Sequence, residues 1–166
     1  GFIHGVMNTD NMAISGESID YGPCAFMDSY HPDTVFSYID EMGRYAYKNQ
    51  AIIAQWNLSR FAETLLPHIH EDKQKAIDLA NETLDSFTGL YHDKWLRMMG
   101  SKLGLSTIMD DDDTLISELL DWMQTNKADY TNTFRDLCSD TQPTGDIYDH
   151  SKFINWYQSW ETRRHS

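Results

Sequence analysis

The sequence predicts a mainly α-helical fold with a small β element at its start. Three observations carry that prediction. From Asn49 onward the apolar residues recur with helical period. Turn-forming residues (Gly5, Asn8, Asp10, Gly16, Gly22, Pro23, Pro32 and Gly43) crowd the first fifty positions instead. The 166 residues, 40% hydrophobic and 13% aromatic, suffice for one domain with a substantial core and argue against disorder.

Near the N-terminus, MAIS and SID flank Gly16-Glu17 and read as a small hairpin, although the turn pair is not the one hairpins favour. The stretch from Tyr21 to Tyr47 reads as loop with a short helical turn. A first helix then puts Ala54, Leu58, Phe61, Ala62 and Leu65 on one stripe, and Pro67 stops it. A second, longer helix runs from about Glu71 to Met99, with Ala76, Leu79, Ala80, Thr83, Leu84, Phe87, Leu90, Tyr91, Trp95 and Met98 on its apolar face. Gly89 weakens its middle, and Gly100 or Gly104 suits its end. A third follows MDDDD and turns Leu115, Ile116, Leu119, Leu120 and Met123 inward. Asp129 caps a fourth carrying Tyr130, Phe134 and Leu137. Beyond the turn at Pro143, a fifth buries Phe153, Trp156, Tyr157 and Trp160 as core. The expected organisation is a single domain over 1–166, divided into a loop-and-hairpin segment at 1–48 and a helical region at 49–166.

Charge and cysteines narrow the function classes. A formal net charge of -13 repels phosphate backbones, so no nucleic-acid partner is expected. No apolar run approaches the roughly 18 residues that span a bilayer, and no membrane partner or signal peptide is read. Cys24 and Cys138 lie far apart and form neither a CxxC pair nor a disulfide framework. His68 and His70 lack carboxylates at metal-motif spacing. The run Asp110–Asp113 lacks the alternating ligands, central Gly and closing Glu of a calcium loop, and reads as a solvated helix start suited to the helix dipole.

The chemistry concentrates in HGVMNTDNMAISGESIDYGP, which begins at His4. A kinase-type site runs from a catalytic loop through a β-hairpin to an Asp-Phe-Gly-like turn. The Asn of that loop and the Asp of that turn bind divalent metal, because hard cations take rigid oxygen ligands beside phosphates. Here His4 opens a loop, Asn11 ends it at the spacing of HRDxxxxN, and nine residues lead on to Asp20-Tyr21-Gly22. Where the kinase loop carries its catalytic Asp stands Val6, which accepts no proton. Asp10, four residues later, is the nearest acid. On residues alone two readings stay open, a nucleotide site and a plain turn pair whose Asp and Asn side chains bond nearby backbone. His4 is read as a loop anchor, and Arg44 and Tyr45 as packing or ion-pair residues rather than partner contacts.

HGVMNTDNM followed by IDYGP resembles the signature of the selenoprotein O (SelO) family, protein adenylyltransferases with a kinase-like fold. GRYAYKNQ, AQWNLSRFAETLLP, SKLGL and DYTNTFRDL extend the likeness to about Leu137, and it thins over WYQSWETR. The resemblance implies a kinase-like C-lobe: a small β-hairpin at the catalytic loop, then about five helices. It implies transfer of AMP from ATP to Ser, Thr or Tyr hydroxyls of proteins, with Mg²⁺ or Mn²⁺. By position, Asp10 matches the proton acceptor, Asn11 and Asp20 the metal ligands, and Asp20 also an ATP-binding residue.

No glycine-rich phosphate loop and no phosphate-binding lysine on a buried strand is visible, nor is the family's C-terminal redox cysteine or selenocysteine. The expectation is therefore a C-lobe portion of a longer polypeptide. Its partners would be ATP, acceptor proteins and the N-terminal lobe of the same polypeptide, and taken alone it would be inactive. A bacterial-type member would be cytoplasmic, a eukaryotic one mitochondrial. The competing expectations are a kinase-like phosphotransferase with a relocated base, and a non-catalytic helical interaction module.

Overall fold

A computed structural model describes residues 1–165, and they are mainly helical. Five α-helices follow in order: α1 (Gln50–Ile69), α2 (Lys73–Lys102), α3 (Asp112–Asn126), α4 (Tyr130–Asp136) and α5 (Ser151–Arg164). The β element is an antiparallel pair, β1 (Phe2–Ile3) and β2 (Ala25–Phe26), with Phe2 opposite Phe26 and Ile3 opposite Ala25. Short 3₁₀ turns occupy Thr9–Asn11 and Tyr47–Asn49. The expected hairpin around Gly16 contracts to a single bridge, Met12 with Ser18. A tight turn there, with the Gly16 N–H on the Ala13 carbonyl at 2.9 Å and Gly16 at φ 77°, consumes the residues that would have extended the pairing.

The chain falls into two compact units. The first holds Gly1, residues 27–32 and residues 93–166, of which Ser166 lies outside the described residues. Its core is aromatic and lies between α3 and α5. Phe153 packs on Trp122 with ring centroids 4.6 Å apart, and Trp156 stacks on Trp160 at 5.9 Å. Two of the buried indoles satisfy their donors on backbone, Trp156 on the Leu115 carbonyl (2.8 Å) and Trp160 on that of Leu103 (2.9 Å), whereas Trp122 Nε1 is buried without a hydrogen-bond partner among the described residues. Tyr148 donates to Asp136 at 2.8 Å, and burial, reinforced by that carboxylate, pushes its phenol up to about 12. Asp112 departs from the solvated helix start expected of its run. It is 1% exposed, paired with Arg163 at 2.8 and 2.9 Å, and it accepts the Met109 N–H at 2.8 Å.

The second unit holds residues 2–26 and 33–92. Here α1 runs two residues past Pro67, less than one further turn, before His70 turns extended. Its most buried side chains are Ile53 and Asn57, while Phe61 and Leu65 of the expected stripe stay 41% and 37% exposed. Those two, with Leu58, Leu79, Leu84 and Phe87, line an open apolar groove of about 450 Å³.

Helix α2 ends where Gly104 adopts φ 71°. The Leu105 N–H bonds the Gly100 carbonyl at 2.9 Å and the Gly104 N–H that of Ser101 at 3.2 Å, so the last carbonyls are capped from beyond the helix. Of its expected apolar face Ala76 and Ala80 are buried, whereas Leu79, Leu90, Tyr91 and Met98 remain 44–59% exposed. No helix among the described residues is long and apolar enough to cross a membrane.

Candidate functional site

The two halves of the N-terminal motif are cross-linked to one another within the second unit. At one end the β1–β2 pairing sets Ile3 against Ala25. One step further in, Gly5 sits so close to Pro23 that a Cβ would collide with the Pro23 carbonyl oxygen, and its φ of 80° suits only glycine. At the other end Met12 bridges Ser18. Two short limbs, residues 6–11 and 19–22, lie between these cross-links. Asp10 and Asn11 belong to the first limb and Asp20 to the second.

Local hydrogen bonds fix the first limb. The Asn11 N–H bonds the Asn8 carbonyl at 3.0 Å, closing the 3₁₀ turn, and the Asn11 Nδ2 donates to the Val6 carbonyl at 2.9 Å. With the donor end of its amide spent on Val6, Asn11 has its carbonyl oxygen left for a ligand. Tyr45, 9% exposed, donates its hydroxyl to Asn8 Oδ1 and braces the turn from outside. Arg44, beside it, stacks over Trp56 with its guanidinium 4.7 Å from the ring centroid. Asp10 is exposed at the tip.

On the second limb, Asp20 is exposed and accepts the Gly22 N–H through Oδ1 at 2.8 Å, which leaves Oδ2 as its open end. A side chain at position 22 would press on that carboxylate, since a Cβ there would lie 3.1 Å from Oδ1.

His4 anchors the loop. It is 6% exposed, its N–H donates to Gln50 Oε1 at 3.0 Å, and its Nδ1 accepts the Val6 N–H at 3.4 Å. That assigns the ring proton to Nε2, which is buried without a hydrogen-bond partner among the described residues.

Two further residues that the sequence reading passed over hold this loop from α1. Gln50 donates Nε2 to the Phe2 carbonyl at 3.1 Å while receiving the His4 N–H. Asn57, 5% exposed, donates Nδ2 to the Met7 carbonyl at 2.9 Å and to the Met12 sulfur. The signal was present in the sequence: Gln50, Ile53 and Asn57 follow helical spacing, and two amides on a helix's buried face need partners.

The donor set suits a hard cation. Asp20 Oδ2, Asn11 Oδ1 and the Asp10 carboxylate are all oxygens. No cluster of three or more His, Cys, Asp or Glu side chains able to hold a metal gathers among the described residues. A cation on Asn11 and Asp20 would therefore complete its shell with water and phosphate oxygens, as Mg²⁺ does at nucleotide sites.

The sequence pattern of the family described as Protein adenylyltransferase SelO matches residues 1–164. The chain belongs to that family. It is similar to Protein nucleotidyltransferase YdiU of Nitrosococcus oceani, 57% identical over 163 residues, which are 98% of this chain and 33% of that protein. Proteins of the same name from Pelagibacter ubique and Brevibacillus brevis are 58% and 56% identical over 163 residues, again 98% of this chain, and 34% and 33% of their own lengths. The chain thus spans about a third of the length of the curated relatives it matches. As a SelO-family segment, it contains the whole cross-linked motif together with the helix that holds it.

Proposed function

We propose that, within a longer polypeptide, this chain supplies the catalytic loop of a protein adenylyltransferase that moves AMP from ATP to Ser, Thr or Tyr hydroxyls of proteins. The observation that carries the reading is the pair of cross-links at Gly5/Pro23 and Met12/Ser18, between which lie the two short limbs that carry Asp10, Asn11 and Asp20. Membership of the family and the nucleotidyltransferase names of its relatives support the same chemistry.

In this reading Asn11 and Asp20 hold Mg²⁺ or Mn²⁺ through their free oxygens, and Asp20 also faces the ATP phosphates. A cation held there would neutralise charge on the phosphate oxygens. The acceptor hydroxyl oxygen forms a bond to the α-phosphorus, and the bond from that phosphorus to the α,β-bridging oxygen breaks. Pyrophosphate leaves with the electron pair, and the hydroxyl proton passes to the Asp10 carboxylate. A positioned base contributes a factor of about 10² to 10⁴, and electrostatic stabilisation of the phosphates is the larger effect. The formal charge of -13 makes the chain a poor ATP binder by itself, so the cationic groups that neutralise the triphosphate come from the rest of the polypeptide.

The position of the label tests the reaction. Full-length protein incubated with acceptor and α-labelled ATP should label the acceptor, and γ-labelled ATP should not. Label from the γ position would mean phosphoryl transfer. No label from either would leave a non-catalytic interaction module.

A further inference from the structure

We propose that Asn57 is a positioning residue that sets the geometry of the Asp10–Asn11 turn from α1. The inference rests on the functional reading above for what the turn does, but its structural content is separate. One amide group reaches both ends of the turn, the Met7 carbonyl at 2.9 Å before it and the Met12 sulfur after it. Both partners are acceptors, so the Nδ2 end of Asn57 faces the loop and Oδ1 faces away. That Oδ1 is buried without a hydrogen-bond partner among the described residues.

An unpaired buried acceptor works against folding, and a leucine would fill the same space without it. Packing therefore gives no reason for an amide at this position, whereas the loop's need for a donor does. Gln50, two helical turns earlier on the same face, serves the strand that enters the loop through Phe2 and His4. Besides these amides, the loop is tied by Asn11 to Val6 and Asn8, by the Val6 N–H to His4, by the Met12–Ser18 bridge and by the Tyr45 brace on Asn8. Releasing Asn57 would let the Met7 and Met12 ends separate, and the Asn11 oxygen would lose its fixed direction. The hydrogen bonds of Asn57 go to Met7 and Met12 and not to the proposed ligands, so its effect belongs in metal requirement and turnover rather than in acceptor binding.

The test uses full-length protein carrying Asn57→Leu or Asn57→Asp. Leucine removes the donor. Aspartate keeps the shape and sets an acceptor against two acceptors, so it decides the matter if the leucine variant does not fold. The expected result is a fall in kcat for AMP transfer of about tenfold or more, with KM for the acceptor unchanged. The Mn²⁺ concentration for half-maximal rate should rise by about fivefold or more, and amide hydrogen exchange across residues 8–11 should quicken. A residue that merely packs would lower the unfolding temperature and leave the metal requirement of the folded protein unchanged, which would overturn the proposal. If wild-type protein transfers no AMP, the functional reading fails by itself. Hydrogen exchange then still judges Asn57: faster exchange at 8–11 in the aspartate variant upholds the positioning role, and unchanged exchange removes it.

Discussion

Single side chains in this molecule are set by whether their polar atoms find partners. Asp112 illustrates this outside the candidate site. Its carboxylate is buried and meets Arg163 in a two-bond fork, with the Arg163 Nη2 also donating to the Thr107 carbonyl at 2.7 Å. Removing one partner strands a buried charge. Asp112→Ala should therefore cost about 3–5 kcal/mol of folding stability in urea titration. Replacing Asp112 and Arg163 together by leucine should recover much of that loss, and a double variant no better than the single one would contradict the assignment. Four successive acids in the sequence suggest a solvated face. That one of them meets an arginine 51 residues later is not legible there, because charge pairing at that range leaves no local pattern. Asn57 was passed over for a related reason, since an amide within an apolar period reads as an interruption until its partners are known.

At the scale of elements, the existence and order of the helices were legible, and so were their caps where one residue decides them. Asp129 accepts the Asn132 N–H at 2.7 Å, as an N-cap should, and Gly104 ends α2 in the left-handed conformation. Legibility failed for the faces. The stripes expected on α1 and α2 are partly exposed along the groove, because period alone does not say how much of an apolar face finds a neighbour. The two glycines of α2 make a sharp comparison. Nothing lies within 4 Å of a Cβ built at Gly89, so Gly89→Ala should stabilise by about 0.5–1 kcal/mol through helix propensity. At Gly100 a Cβ would strike the Ile108 side chain, so Gly100→Ala should cost about 1–3 kcal/mol. Thermal unfolding of both variants checks the pair, and equal shifts of one sign would show that propensity alone governs the helix.

For the molecule as a whole, the motif that suggested a nucleotide site and the helix that grips it belong to one compact unit, while the aromatic core of α3 and α5 belongs to the other. The sequence makes Asn11 and Asp20 candidates by motif spacing, and Asp10 a candidate only through the family resemblance. Their arrangement was not legible, since it depends on a glycine that admits Pro23 and a one-residue bridge too short to show as a strand pattern. The account stands on the open oxygens of Asn11 and Asp20 gripping a metal-bound triphosphate. Titration of Mg²⁺–ATP into full-length protein, wild type against Asp20→Ala, tests that most directly. The account predicts at least about a tenfold loss of affinity in the variant, as expected when a hard cation loses a carboxylate ligand, with an unchanged unfolding temperature in the absence of nucleotide. Equal affinity in the two proteins would contradict it.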